Sequence, residues 1–295
     1  MTNQKKAYLY ALTAVMFWST AATAFKLTLR HIDILQLLLI SSLTSFAVLL
    51  AVVIVQGKFG LLVATGKHDL MRSLIVGMLN PVLYYVVLFK AYSLLPAQQA
   101  MTLNYTWPLM LVILSIPLLK QKISLHSISA IAVSFTGVII IATGRDTGTL
   151  HITSPLGVGL ALGSSVIWAL FWICNVRDHR DEVVKLCINF AFGTVAILMI
   201  TGLFSTFSLP SIAGAVGAVY IGLFEMGITF VLWLMALKHS RTTAQVGNLV
   251  YLSPFLSLVF ISIVIGEQIE LTTIAGLVMI LAGIIFQKRS KQDFI

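Results

Sequence analysis

Ten apolar stretches of spanning or near-spanning length divide this chain, and nothing constrains its fold more. They cover 7–29, 34–55, 74–92, 97–119 and 125–143, then 156–176, 184–204, 212–237, 243–265 and 272–287. A helix rises about 1.5 Å per residue, so about 20 apolar residues cross a bilayer core. No stretch alternates apolar and polar residues over ten-residue units, as the strands of a membrane barrel would. The chain is predicted to be an all-α membrane protein with ten transmembrane helices. Composition points the same way: 59% of its 295 residues are hydrophobic and only 10% are charged. A soluble domain carries about 25% charged residues, so the lipid bilayer must be the main solvent.

The net charge of +9 does not indicate nucleic acid, because the basic residues form no single patch. They are dealt out between the apolar stretches. With the N-terminus inside, fifteen of the nineteen Lys and Arg fall in cytoplasmic connections. Lys26, Arg30, Lys90 and Arg145 fall outside. That bias predicts cytoplasmic N and C termini. Lys5-Lys6, an apolar run and Ala22-Thr23-Ala24 have the outline of a signal peptide, but 7–29 is too long for its apolar region and reads as a first span. Cys174 and Cys187 have no CxxC spacing and read as small apolar fillers. The six His lie in predicted loops or at helix ends without HExxH spacing, and there is no GxxxxGK[ST] or GxSxG. No cofactor, metal or ATP site is predicted.

The chain also repeats. A shift of 146 positions brings Gln99 onto Gln245, Leu103 onto Leu249, Tyr105 onto Tyr251 and Pro108 onto Pro254. It brings Ile123, Leu125, Ile128 and Gly137 onto Ile269, Leu271, Ile274 and Gly283. Two five-helix repeats are expected, 1–148 and 149–295, divided by the Gly/Thr-rich link at 144–155. An odd number of helices per repeat inserts the second copy upside down. Lys120 and Lys122 follow the fourth helix, whereas the matching place after the ninth reads Gly266-Glu267-Gln268-Ile269-Glu270. Basic residues become acidic where the loop changes sides.

Gly266-Glu267-Gln268, then Leu271-Thr272-Thr273-Ile274-Ala275-Gly276 and Ala282-Gly283-Ile284-Ile285, resemble the closing signature of EamA domains. Phe17-Trp18-Ser19 resembles their opening. The chain is similar over nearly its whole length to the EamA family of the drug/metabolite transporter superfamily. Asn104-Tyr105-Thr106-Trp107-Pro108 most resembles the branch of amino-acid exporters that includes the aromatic amino-acid exporters. Lys120-Gln121 departs from the Gly-Glu pair that many members keep there. The resemblance implies a multi-pass protein of a bacterial inner membrane that exports small metabolites, amino acids first, by alternating access. It implies a cavity built from the first, third, fourth, sixth, eighth and ninth helices, and so substrate-binding roles for Trp18, Tyr84, Asn104, Tyr105, Trp107 and Trp168. Another amphipathic metabolite or drug, moved in either direction, is the alternative. A membrane enzyme would need catalytic groups clustered at one face, and none is visible.

Four further residues are candidates on their own chemistry. Glu225 is an acid well inside an apolar stretch, where an acidic side chain costs about 2.5–3.5 kcal/mol on insertion scales. It reads as a contact for a substrate ammonium or as a proton-coupling group, against a structural hydrogen bond or a salt bridge to Lys90. Asn80 is its counterpart in the first repeat at a shift of 145, and Lys90 is a candidate partner for a substrate carboxylate. Tyr251 is the repeat partner of Tyr105. Pro108 and Pro254 are expected as paired mid-helix kinks that open the cavity. Lys26 is expected to snorkel to the outer interface.

Overall fold

The computed structural model describes residues 3–119, 125–143, 154–205, 209–239 and 248–289. They are almost wholly helical, and no strand occurs among them. Helices α1 (Asn3–Thr28) and α2 (Ile34–Val55) are uninterrupted. Asp33 starts α2 by accepting from the Leu35 and Gln36 N–H groups at 2.9 and 3.1 Å. The short α3 (Phe59–Val63) follows, then α4 (Lys67–Gly77) and α5 (Tyr84–Leu94), one rod interrupted by a wide turn at Met78–Leu83. Next come α6 (Ala97–Asn104), α7 (Trp107–Leu119) and α8 (Leu125–Thr143).

The second series repeats these shapes. Helices α9 (Pro155–Val176) and α10 (Glu182–Phe204) are uninterrupted. Helices α11 (Ile212–Ile221) and α12 (Ile228–His239) form a rod interrupted by a wide turn at Gly222–Gly227. A 3-10 turn at Asn248–Tyr251 leads into α13 (Leu252–Phe260). A wide turn at Ile261–Ile265 and Gly266, at φ 78° in the left-handed region that glycine tolerates, precede α14 (Leu271–Arg289).

Among the described residues, six helical segments are long and apolar enough to cross a membrane: Asn3–Thr28, Ile34–Val55, Lys67–Leu94, Pro155–Asn175, Glu182–Phe204 and Ile212–His239. Shorter apolar helices cover Ala132–Ile141, Leu249–Ile265 and Leu271–Phe286. The connection between the second and third apolar stretches is partly helical, because it holds α3 and the third rod starts at Lys67. The third, fourth and eighth apolar stretches are broken rods, not single helices. Lys120, Gln121, Lys122, Gln245 and most of the 144–155 link lie outside the described residues.

Each broken rod is pressed by a helix of the other series. A Cβ added to Gly77 would meet the Asn189 carbonyl oxygen of α10 at 2.4 Å. A Cβ added to Gly222 would meet the Ser41 carbonyl oxygen of α2, also at 2.4 Å. Likewise α1 packs on α12 and α13, while α9 packs on α5 and α7. The contacts thus recur with the two series exchanged. Helices α8 and α14 cross where Gly137 and Gly276 face each other's carbonyl oxygens. Lipid is as apolar as any core, so close approach of small residues and interhelical hydrogen bonds hold such a bundle. Ser41, Ser42 and Ser45 of α2 are fully buried, and the Ser41 hydroxyl donates to the Ala218 carbonyl at 2.8 Å. Leu203, Phe204 and Ile212 are largely exposed instead.

Charged groups close the helix ends. The Lys26 ammonium donates to the Tyr92 and Leu95 carbonyls at 2.8 and 2.6 Å. It caps the end of α5 instead of snorkelling outward, because those carbonyls have no partner within their own helix. Lys185 likewise donates to the Asn175 and Asp178 carbonyls, at 3.1 and 2.9 Å. Arg180 joins Asp178 to the Ser73 hydroxyl of α4, and Lys58 pairs with Asp181 at 2.7 Å.

Candidate functional site

The breaks in the rods surround a central cavity of about 90 Å³. Its wall is largely aromatic: Trp18 and Phe25 from α1, Tyr84 and Tyr92 from α5, and Tyr105 and Trp107 at the α6–α7 break. Trp168 and Trp172 of α9 and Trp233 of α12 complete the set. Tyr84 lies over Trp168 with ring centroids 4.6 Å apart, and Trp18 lies 5.3 Å from Trp233. The polar atoms of the wall come from Asn104, Glu225 and Ser257, together with the hydroxyl and indole groups of the rings.

Side chains tie the break at Tyr105–Thr106 to α5 and α9. The Asn104 amide donates to the Ser164 hydroxyl at 2.8 Å and accepts from the Tyr84 hydroxyl at 3.4 Å. The Thr106 hydroxyl donates to the Leu103 carbonyl at 2.7 Å and to Ser165 at 3.0 Å. Pro108 is the second residue of α7 and Pro254 the third of α13. Each proline therefore sits in a first turn, where its missing N–H is not needed. The mid-helix kinks expected at Pro108 and Pro254 are helix restarts; the chain breaks a few residues earlier.

Of the sequence candidates, Trp18, Tyr84, Asn104, Tyr105, Trp107, Trp168 and Glu225 meet around the cavity. Tyr251 is half-buried in the aromatic cluster with Trp18 and Trp233, behind the wall. Asn80 is fully buried in the third-rod break, off the cavity, and neither polar atom of its amide has a hydrogen-bond partner. Lys90 is exposed and does not line the cavity, so it leaves the candidate set and cannot be the partner of Glu225. That partner is Tyr85, whose hydroxyl donates to Oε1 of Glu225 at 3.3 Å. Oε2 of Glu225 and Nε1 of Trp172 are buried without hydrogen-bond partners. None of the described lining residues is Lys, Arg or His.

Phe25, Tyr92, Trp172 and Trp233 were missed by sequence reasoning, although helical spacing points to them. Side chains three, four, seven or eight positions apart share a helix face. Phe25 is seven residues beyond Trp18, Tyr92 eight beyond Tyr84, Trp172 four beyond Trp168 and Trp233 eight beyond Glu225.

The family comparison matches this architecture: the profile of the EamA-like transporter family covers residues 5–143 and 155–287. The chain belongs to the EamA-like transporter family. As a member, it is a multi-pass transporter of the inner membrane. It is 28% identical to an uncharacterized transporter of Clostridium kluyveri, over 98% of this chain and 94% of that protein. It is 26% identical to the aromatic amino acid exporter YddG of Ancylobacter novellus, over 86% of this chain and 87% of that one. A solved crystal structure aligns with a TM-score of 0.68 and 21% identity over 98% of this chain and 99% of the other, a likeness of fold.

Proposed function

We propose that this EamA transporter is a secondary carrier exporting small amphipathic metabolites, amino acids first among them, by alternating access through the central cavity. The observation that carries the reading is an aromatic-walled cavity with one carboxylate, set where broken rods of the two series meet. The resemblance to an aromatic amino acid exporter supports the solute class. In this reading ten spans form two inverted five-helix repeats, 1–148 and 149–295, with both termini cytoplasmic. The lysine and arginine distribution supports that orientation. Broken rods suit the task, since interrupted helices in inverted repeats form midplane binding sites. A proton is the candidate coupling ion, and Glu225 its candidate carrier.

Counterflow into proteoliposomes loaded with each of the twenty labelled amino acids tests the solute class. Saturable exchange of the aromatic and large neutral members is expected. No exchange with any of the twenty would remove amino acids from the reading.

A further inference from the structure

The charge balance of the cavity goes further than its aromatic character. Among the described lining residues one carboxylate reaches it, and no cationic side chain answers that charge. Glu225 is about nine-tenths buried, and only Oε1 is engaged, by the neutral Tyr85 hydroxyl. A buried carboxylate requires a counter-charge or a proton. Three donors nearby are already committed: Tyr84 to Asn104, Asn104 to Ser164 and Tyr85 to Glu225 itself. Trp172 Nε1 is a buried donor of the wall without a partner.

We infer that the cavity selects solutes of net charge +1, ammonium-bearing amines with a flat apolar body and a blocked or absent carboxylate, over zwitterionic amino acids. The inference rests on the carrier reading above and, within its amphipathic solutes, moves first place from the amino acids to their amine counterparts. The ammonium supplies the charge that Glu225 lacks, and the π faces of Tyr84, Trp168 and Trp18 favour a cation as well. Trp172 N–H can serve one neutral acceptor, such as a carbonyl or hydroxyl. A zwitterion places its own carboxylate on the carbon that carries the ammonium. That second anion would sit in the same cavity as Glu225 with only neutral donors to meet it. Such a mismatch discriminates against a solute as effectively as a steric clash.

Three solutes sharing one ring separate the alternatives: phenylalanine, phenylalaninamide and phenethylamine. Each competes against one labelled solute for counterflow by the full-length protein in proteoliposomes. The two cations should half-saturate exchange at concentrations at least tenfold below phenylalanine. Glu225→Gln should bring the three within threefold of each other, and Glu225→Asp should keep the cation preference. Phenylalanine matching or outcompeting both cations in the unmodified protein overturns the inference without any variant. So does a Glu225→Gln protein that elutes as a single species and keeps the preference. Exchange of amino acids without amines sinks this inference and spares the carrier reading. Exchange of no solute at all sinks both.

Discussion

The turns at Met78–Leu83 and Gly222–Gly227 solve one structural problem with different chemistry. Both interrupt a long rod, and both follow or begin at a glycine where an added Cβ would lie 2.4 Å from a carbonyl oxygen of the other series. The first is broken by Pro81, which lacks the N–H an unbroken helix would use, and Asn80 there has a non-helical backbone at φ −147°, ψ 120°. The second contains no proline; glycines stand at both ends. The polar side chains differ most. Asn80 is buried off the cavity with its amide unpartnered, whereas Glu225 reaches the cavity and meets Tyr85. The backbone device is shared, and the charge is placed on one side only. Symmetry therefore belongs to the scaffold, and chemistry to the residues that break it.

The largest effect should separate those two side chains. Glu225→Leu is expected to cut cavity-dependent counterflow by about ten- to a hundredfold, the worth of a hydrogen bond to a charged group. Asn80→Leu should leave counterflow within about twofold and keep or raise the melting temperature, since an unpartnered buried amide contributes no bond to lose. Equal losses from the two variants would make Asn80 part of the transport machinery and the contrast meaningless.

The next test strikes the shared device. Gly77→Ala and Gly222→Ala each drive a methyl group into a carbonyl oxygen. Overpacking of this kind costs about 1–3 kcal/mol. Thermal melts in detergent should show similar losses for both. A loss at only one position would mean that just one rod depends on close approach, and the scaffold would not be symmetric there.

Much of this scaffold could be read in the sequence, because bilayer thickness and hydropathy share one length scale. The stretch 34–55 matches α2 residue for residue. Seven cavity residues were named, six through the family resemblance and Glu225 from its charge within an apolar stretch. Missing from that list were positions whose residue types are ordinary in such a stretch, like Phe25 and Tyr92. They become informative only when read as the same helix face as Trp18 and Tyr84. Lys90 misled because a basic residue inside an apolar stretch looks functional, whereas its exposure depends on which face packs. The prolines at 108 and 254 misled by one turn, since a proline tolerates the start of a helix better than its middle.

A third effect should appear at the seam between the series near the end of α5. Glu267 accepts from the Ala97 and Gln98 N–H groups at 3.0 and 3.4 Å and so starts α6 from across the bundle. Gln98 answers by donating to the Gln268 carbonyl at 2.9 Å and accepting from the Glu270 N–H at 3.0 Å. Glu267→Ala should cost about 1 kcal/mol, typical of a helix cap, and Glu267→Gln less. If both variants melt with the unmodified protein, the cap carries no stability and the seam is held by packing alone.

The smallest effect concerns the charged cluster around the α9–α10 turn, and it is read by pH. Burial alone would raise the Asp178 carboxyl, but hydrogen bonds from Arg180 and the nearby charges of Arg180 and Arg72 outweigh it and bring the group down to about 2. Asp181 is opposed by burial in the same way, and Lys58 with the Val183 and Val184 N–H groups brings it below its usual value. Unfolded aspartates titrate near about 3.9. A carboxyl depressed in the folded state stabilises it fully above the unfolded value, and that contribution is lost as pH falls through the folded one. The cluster should thus add nothing to the pH dependence between pH 7 and 5, and should lose its contribution between about pH 4 and 2. Melting curves of the unmodified protein and of Asp178→Asn across that range measure it. The difference between the two proteins should be constant above pH 5 and close as the pH drops below 4. A difference that stays constant to pH 2 would mean that the Asp178 carboxylate contributes no net charge pairing, and that Arg180 is positioned by the Ser73 hydroxyl and the Asp69 carbonyl instead.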